Sequence, residues 1–419
     1  MAEGIRLATI GSADEWARPV RILTLNYEYP PIGGGGGVVH ALLADQLARR
    51  HDVTVVTSAF RDLPSREVIG GVEILRVPIL GRTRASVATR TSMLLYPPSA
   101  GLVTWRHLRG RAFDIVHGHF AIPTGPGSLA VAMGVGRPHV LSLHGGDLYD
   151  PSKGLSPHRF APFRIAVDAV LKRSHAVVAQ SKNTRDNVYR FYRYRGPVDV
   201  IPLGIRFPSI NPKSRNELNL PEGVFIIITV GRLIPRKSIE TAIRLLNRPE
   251  CGDVHLLVVG TGPLSLPLRR AAEESGVGSR VHFSGRVDEE LKWQLLFSAD
   301  AYLSTSMHEG FGLTFIEAMF AGLPVICYDH GGQTDFLENG VTGFVVPAGD
   351  EGRLGSALTH LRGNPALCRR TGEGNRRRAR RFSIESCAEK YEALFEHTLS
   401  GSLDRSAIKT RARRGQPAC

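Results

Sequence analysis

The feature that most limits what this chain can become is its rhythm. Short apolar, β-rich runs alternate with helical patterns along most of its 419 residues, which is the signature of parallel strands covered by helices. The first half holds seven strand candidates, from Arg21–Tyr27 through Ile115–Phe120 and Val140–His144 to Asp199–Leu203. The second holds six, from Phe225–Val230 through Ala301–Ser306 to Gly343–Val346. Between them, Gly204–Gly223 carries three prolines, polar residues and little periodicity, the composition of a linker. The expected plan is an α/β domain over residues 1–205, a second over 206–382, a last helix over 383–399 and a disordered basic tail over 400–419. Two such domains leave a cleft between the carboxyl ends of both sheets, where open α/β folds bind ligands.

Composition narrows the partners. The net charge is +14, which favours nucleotides, other polyanions or an anionic membrane surface without choosing among them. Neither an aromatic RNA-binding signature nor paired Cys/His finger spacing is present, so no nucleic-acid partner is expected. The five cysteines form no CxxC pair, which argues against a zinc site or disulfide framework and for a reducing, cytoplasmic setting. Residues 1–19 lack a long apolar core, and the uncharged run Phe120–Gly136 is short and interrupted by proline and glycine. Neither a secretory leader nor a membrane span is expected.

The densest chemistry lies in Ser306–Met319. A strand-like segment, a Gly-Phe-Gly turn and a helical pattern over Leu313–Ala321 follow one another, with Glu309 and Glu317 eight positions apart. Glu309 stands at the loop mouth and Glu317 about two turns into the helix. Amides of Phe311, Gly312 and Leu313 open a helix N-terminus, which favours anions or hydroxyl oxygens. Both carboxylates can face one ligand there, or they are surface charges on a solvated helix. Arg232 and Lys237 follow the first strand of the second half. There a guanidinium fork and an ammonium can converge on a diphosphate, or form a solvated basic turn. Arg236 reads as a plain surface charge.

In the first half, five consecutive glycines, Gly33–Gly37, precede a helical pattern. They make either a flexible turn or a loop whose amides meet phosphate. His144, followed by Gly145, Gly146 and Asp147, ends a strand. His117 and His119 alternate onto one strand face and read as core or cleft packing, with no third metal ligand evident. Phe283–Val287 is a further turn at a strand end.

These segments resemble the nucleotide-sugar site of retaining GT-B glycosyltransferases, the glycosyltransferase 4 or group 1 family. The resemblance implies two Rossmann-like domains facing across a cleft, with the terminal helix crossing back to the first. It implies that Glu309 meets sugar hydroxyls and Glu317 ribose hydroxyls, while Arg232 and Lys237 hold the donor diphosphate. Gly34, Gly35, Val287, Phe311, Gly312 and Leu313 complete the expected donor site. His144 lies beside the transferred sugar, with Arg232, Lys237 and Glu309 completing the catalytic set, and Asp147 orients the acceptor or its loop. The chain has no Asp-x-Asp, so the two cations stand where a metal would act and no metal or other cofactor is expected.

The implied activity is transfer of a sugar from a nucleotide-diphosphate sugar to a glycan, lipid-linked or small-molecule acceptor, in envelope glycan, polysaccharide or glycolipid synthesis. A GT-B phosphorylase or sugar-phosphate synthase is the enzymic rival, and a basic polyanion-binding protein the non-enzymic one. Arg82, Arg84, Arg90, Arg106, Arg109 and Arg111 flank the apolar stretch Met93–Tyr96. That combination suits peripheral association with the cytoplasmic face of a membrane, or a soluble domain with its apolar side packed inward.

Overall fold

The computed structural model describes residues 18–85, 88–151 and 154–413, with side chains described as far as Gly401. Residues 1–17, most of the stretch expected not to be a secretory leader, lie outside the described residues, as does Cys419. Two sheets form. The first contains β1 (Arg21–Leu25), β2 (Asp52–Ser58), β3 (Arg66–Ile69), β4 (Val72–Val77), β5 (Ile115–His119), β6 (His139–Leu143), β7 (Ala176–Ala179) and β8 (Asp199–Val200). Its order is β3-β4-β2-β1-β5-β6-β7-β8, parallel except for the β3–β4 hairpin at the edge. The second contains β9 (Phe225–Val230), β10 (Val254–Val259), β11 (Val281–Gly285), β12 (Ala301–Ser304), β13 (Val325–Tyr328) and β14 (Gly343–Val346), in the order β11-β10-β9-β12-β13-β14. Central strands such as β1 and β9 are apolar on both faces because helices cover both.

The first-domain helices are α1 (Gly35–Leu47), α2 (Arg90–Leu108), α3 (Thr124–Val135), α4 (Ala161–Arg173) and α5 (Lys182–Phe191). The second domain has α6 (Ile239–Leu246), α7 (Ser265–Glu274), α8 (Glu289–Ser298), α9 (Leu313–Ala321), α10 (Glu351–Arg362) and α11 (Pro365–Ala379). The last helix, α12 (Ile384–Arg413), continues past residue 399, so the expectation of an unstructured tail from residue 400 is corrected. Beyond residue 399 the sequence includes Leu403, Arg405, Ala407, Lys409, Arg411 and Ala412, helix formers that continue a helix already anchored upstream.

That anchor lies in the first domain. Ile384, Cys387, Ala388, Tyr391 and Phe395 are buried in one cluster with Ile22, Leu43, Val55 and Ile115. Glu392 accepts from Arg50 at 3.0 Å and meets His51 at 3.1 Å. The chain thus crosses between domains twice, and the crossings run side by side: Ile205 N–H donates to the Phe382 carbonyl, and Ile384 N–H to that of Ile205. Among the described residues, no helix is long and apolar enough to cross a membrane.

Candidate active site

The loops after β1, β6, β7, β9 and β12 meet where the two sheets' carboxyl ends face each other. Gly310 is the tightest point. A Cβ there would lie 2.9 Å from the His144 carbonyl oxygen, and one on Gly145 would lie 2.9 Å from Gly310 Cα. Ser181 Oγ donates to the Gly310 carbonyl at 2.9 Å, and Lys182 N–H to Asp335 Oδ2 at 2.5 Å. Any larger side chain at Gly310 or Gly145 would hold the domains apart.

On the second-domain side, Glu309 is 7% exposed. Its Oε1 lies 2.5 Å from Lys237 Nζ and its Oε2 3.2 Å from Arg236 Nη1. Arg236 also donates to the His308 carbonyl. Arg236 is therefore no surface charge: the 3-10 turn Pro235–Lys237 turns both cations toward the Glu309 loop. Burial alone would raise the Glu309 pKa, but Lys237 and Arg236 outweigh it and hold the carboxyl down to about 2. The carboxylate is ionised and fixed, while Lys237, with three donors on its ammonium, retains capacity for a second anion.

Gly312 has φ +97° and caps α9, a conformation that favours glycine. Leu313 opens the helix, and Glu317 projects one turn later, 8% exposed. Its Oε1 lies 2.8 Å from Lys292 Nζ of α8, and its Oε2 is buried with no partner among the described residues. Burial pushes this carboxyl up, with Lys292 pulling the other way. An acceptor oxygen sealed without a donor costs about 1–3 kcal/mol, which a ligand hydroxyl would offset.

Across the cleft, the first-domain loops close on these groups. A Cβ on Gly34 would lie 3.1 Å from Arg232 Nη2, and one on Gly35 3.7 Å from Leu313 Cδ1. Gly34 N–H is taken by Glu28 Oε2 at 3.0 Å, so that amide already has an anionic partner. His144 packs against Phe120, ring centroids 4.3 Å apart, and its Nε2 lies 3.1 Å from His119 Nδ1. Phe120 holds φ +71°, a costly value for a bulky residue. Asp147 is buried as a bracket: Oδ1 accepts from His144 N–H at 2.9 Å and Oδ2 from Ala121 N–H at 2.6 Å. It thereby ties the ends of β5 and β6 together.

The structure thus brings together Gly34 with Arg232, Gly35 with Leu313, Lys237 with Glu309, and the backbone of His144 with Gly310. Two expected residues stand apart. Phe311 turns its ring into the core against Phe336 and Phe382, leaving its backbone to the loop. Val287 is half-buried in the turn before α8. The sequence reading missed Arg236 and Lys292, which neutralise the two glutamates, and Glu28 and Phe120, which shape the glycine loop. It also missed His308, buried beside Tyr149 with ring centroids 5.2 Å apart and, among the described residues, no hydrogen-bond partner for either ring nitrogen. Among the described residues no cluster of His, Cys, Asp and Glu could hold a metal ion.

Comparison with known proteins fits this geometry. Residues 32–207 match the family described as Glycosyltransferase Family 4, and residues 210–378 match Glycosyl transferases group 1. The D-inositol 3-phosphate glycosyltransferase of Streptomyces avermitilis is 26% identical over 412 residues, covering 88% of this chain and 86% of that one. Among solved structures, sucrose-phosphate synthase from Thermosynechococcus elongatus superposes with a TM-score of 0.79 at 23% identity, over 92% of this chain and 100% of that one. Anabaena HepE, solved in complex with UDP-glucose, gives 0.68 at 19% identity over 91% and 99%. The chain belongs to the family 4, group 1 glycosyltransferases, with the GT-B fold. It is a nucleotide-sugar glycosyltransferase, and a polyanion-binding protein without enzymic activity is set aside.

Proposed function

We propose that this enzyme transfers a sugar from a nucleoside-diphosphate donor with retention of anomeric configuration and without a metal ion, to a glycan, lipid-linked or small-molecule acceptor held by the first domain. The observation that carries this reading is the meeting of Arg232 with Gly34 beside the Lys237–Glu309 pair. A diphosphate at this seam would lie among fixed cations already oriented, and these would stabilise its departing charge without reorganisation. Glu317 Oε2 would accept from a ribose hydroxyl and Glu309 from sugar hydroxyls, while His144 would line the opposite side of the sugar. A phosphorylase or sugar-phosphate synthase would use the same donor-side groups, and the acceptor separates the two.

The test is nucleoside diphosphate release across common UDP- and GDP-sugars, with and without chelator, followed by NMR of the product anomer. Turnover unchanged by chelator and a retained anomer are expected. Loss of turnover with chelator and recovery with Mg²⁺ or Mn²⁺ would overturn the diphosphate role of Arg232 and Lys237. Inorganic phosphate or a sugar phosphate as sole acceptor would move the enzyme to the rival class.

A second observation bears on where the enzyme works. On α2, Leu94, Leu102 and Trp105 are more than 60% exposed, and Arg90, Arg106 and Arg109 are exposed beside them. The helix has no acidic residue. We infer a peripheral site on an anionic membrane face, in keeping with assembly of envelope glycans or glycolipids. Two parts of the sequence expectation do not contribute. Tyr96 is buried and donates to the Val56 carbonyl, and Arg82 lies over the Tyr27 ring and donates to Ser58 Oγ.

A further inference from the structure

His144 is not held by the backbone alone. His119, 1% exposed on β5, places its Nδ1 3.1 Å from His144 Nε2. The remaining nitrogens of the pair, His119 Nε2 and His144 Nδ1, are both buried and without a hydrogen-bond partner among the described residues. Burial keeps both rings neutral, with His144 down to about 4 and His119 well below the usual histidine range. Two neutral imidazoles share one hydrogen bond in two ways. If His144 donates from Nε2, then His119 carries its proton on Nε2, where it faces no acceptor. If His119 donates from Nδ1, its Nε2 holds a lone pair instead, and the unmatched N–H passes to His144 Nδ1.

The surroundings decide between these. His119 is packed between the rings of His40 and His117, centroids 4.0 and 4.2 Å away, and no ligand can reach it. The nearest polar groups are committed elsewhere. Asn26 Oδ1 accepts from Glu28 N–H, so its Nδ2 donates to His40 Nδ1, and His40 Nε2 then donates to Thr24 Oγ1. His117 Nε2 is bonded to Ser142 Oγ. An N–H on His119 Nε2 would stay orphaned in every state of the enzyme, and orphaned buried N–H groups are rarer than under-satisfied acceptors. His144, half-buried at the cleft, is the ring whose unmatched donor a ligand can satisfy.

We propose that His119 is a positioning residue that fixes His144 as its Nδ1–H tautomer, so that His144 offers a hydrogen-bond donor to an oxygen of the transferred sugar. This rests on the reading that His144 faces that sugar. The arrangement explains why a second, inaccessible histidine stands behind the first: without it an imidazole relaxes to the intrinsically favoured Nε2–H form and turns an acceptor toward the sugar.

The test uses the full chain labelled with ¹⁵N-histidine, the His144 signals being assigned by comparison with His144→Gln. Long-range ¹H–¹⁵N correlation distinguishes the tautomers. His144 is expected to be Nδ1–H in the native enzyme and to shift to Nε2–H in His119→Phe, which fills the space without a ring nitrogen. His119→Asn, whose amide can donate near the Nδ1 position, is expected to keep the native tautomer. Turnover on the donor returned by the sugar-nucleotide panel should fall roughly tenfold in His119→Phe, the loss of about one oriented hydrogen bond, and recover in His119→Asn. UDP affinity by calorimetry should be unchanged in both. An Nε2–H His144 in the native enzyme, an unshifted tautomer in His119→Phe, or a shifted tautomer with full turnover each overturns the proposal. So does a parallel loss of UDP binding, which would make the role structural. Full turnover in His144→Gln is a separate failure, that of the site reading itself.

Discussion

At the scale of single residues, the site is built from charges that neutralise one another before any ligand arrives. Breaking a buried pair by removing one partner costs about 3–5 kcal/mol, because the other charge stays in the interior. Lys237→Ala should therefore lower both stability and turnover, with Arg236 softening the first effect. Lys237→Ala/Glu309→Gln should regain much of the stability and none of the turnover, read by urea unfolding beside an activity assay. A double variant no more stable than Lys237→Ala would contradict the pairing. Glu317→Ala should weaken UDP binding by about 1–3 kcal/mol, the range of one charge-assisted hydrogen bond, as measured by calorimetry; unchanged affinity would remove Glu317 from the ribose. The sequence made Glu309, Glu317, Arg232 and Lys237 legible because each lies in a short run whose spacing has a chemical reading. Their partners were not legible. Lys292 reaches Glu317 from a different helix, and nothing in the order Arg236-Lys237 tells that a 3-10 turn aims both cations at Glu309.

At the scale of elements, the parallel strands could be read from apolar runs, while elements whose sequence argues against them could not. The edge strand β3 is Arg-Glu-Val-Ile, exposed along most of its length, and it pairs only because β4 presents an antiparallel edge. Helix α2 contains Pro97 and Pro98, which ordinarily end a helix. It survives on a capping box, Thr89 with Ser92, and on packing against α3, where a Cβ on Gly127 would come within 3.0 Å of Pro97 Cα. Its outer face yields a prediction. The enzyme should sediment with anionic vesicles at low ionic strength and release at high salt, since each basic group near the surface contributes about 1 kcal/mol and is screened by salt. Leu94→Ser/Leu102→Ser/Trp105→Ser should lose most of this binding and keep donor hydrolysis, because none of the three lies near the cleft loops. Equal recovery of the native enzyme in the supernatant with neutral and anionic vesicles would sink the membrane assignment and leave the glycosyltransferase untouched.

At the scale of the whole molecule, the second domain carries most of the charged donor machinery and the first carries a buried histidine array, so the two should respond differently to acid. His40 and His139 are held down to about 3 and His144 to about 4, in each case mainly by burial. The sign follows from linkage. Each ring is neutral in the folded chain, whereas the unfolded chain begins to bind a proton near pH 6.5, so stability is full above that value and is lost as pH falls toward the folded pKa. At pH 5.5 each such histidine costs about 1.4 kcal/mol, and the three together about 4 kcal/mol, against a usual total of about 5–15 kcal/mol. In the second domain, His308, held down to about 4 by burial and by Arg236, and His255 and His282, lowered chiefly by burial, add fewer steps of the same sign. The raised Glu317 carboxyl works against them, since protonation relieves its burial. The first domain should therefore be the weaker unit in mild acid although both sheets are fully formed at pH 7.5. Hydrogen exchange corrected for its intrinsic pH dependence would read this directly. The opening free energy of β5 and β6 should fall by about 4 kcal/mol between pH 7.5 and 5.5, while that of β9 and β10 changes less. No loss in β5 and β6 would mean that these histidines are charged in the folded enzyme and that the neutral pair at the cleft does not exist, whereas equal loss in both sheets would mean that the two domains open as one cooperative unit.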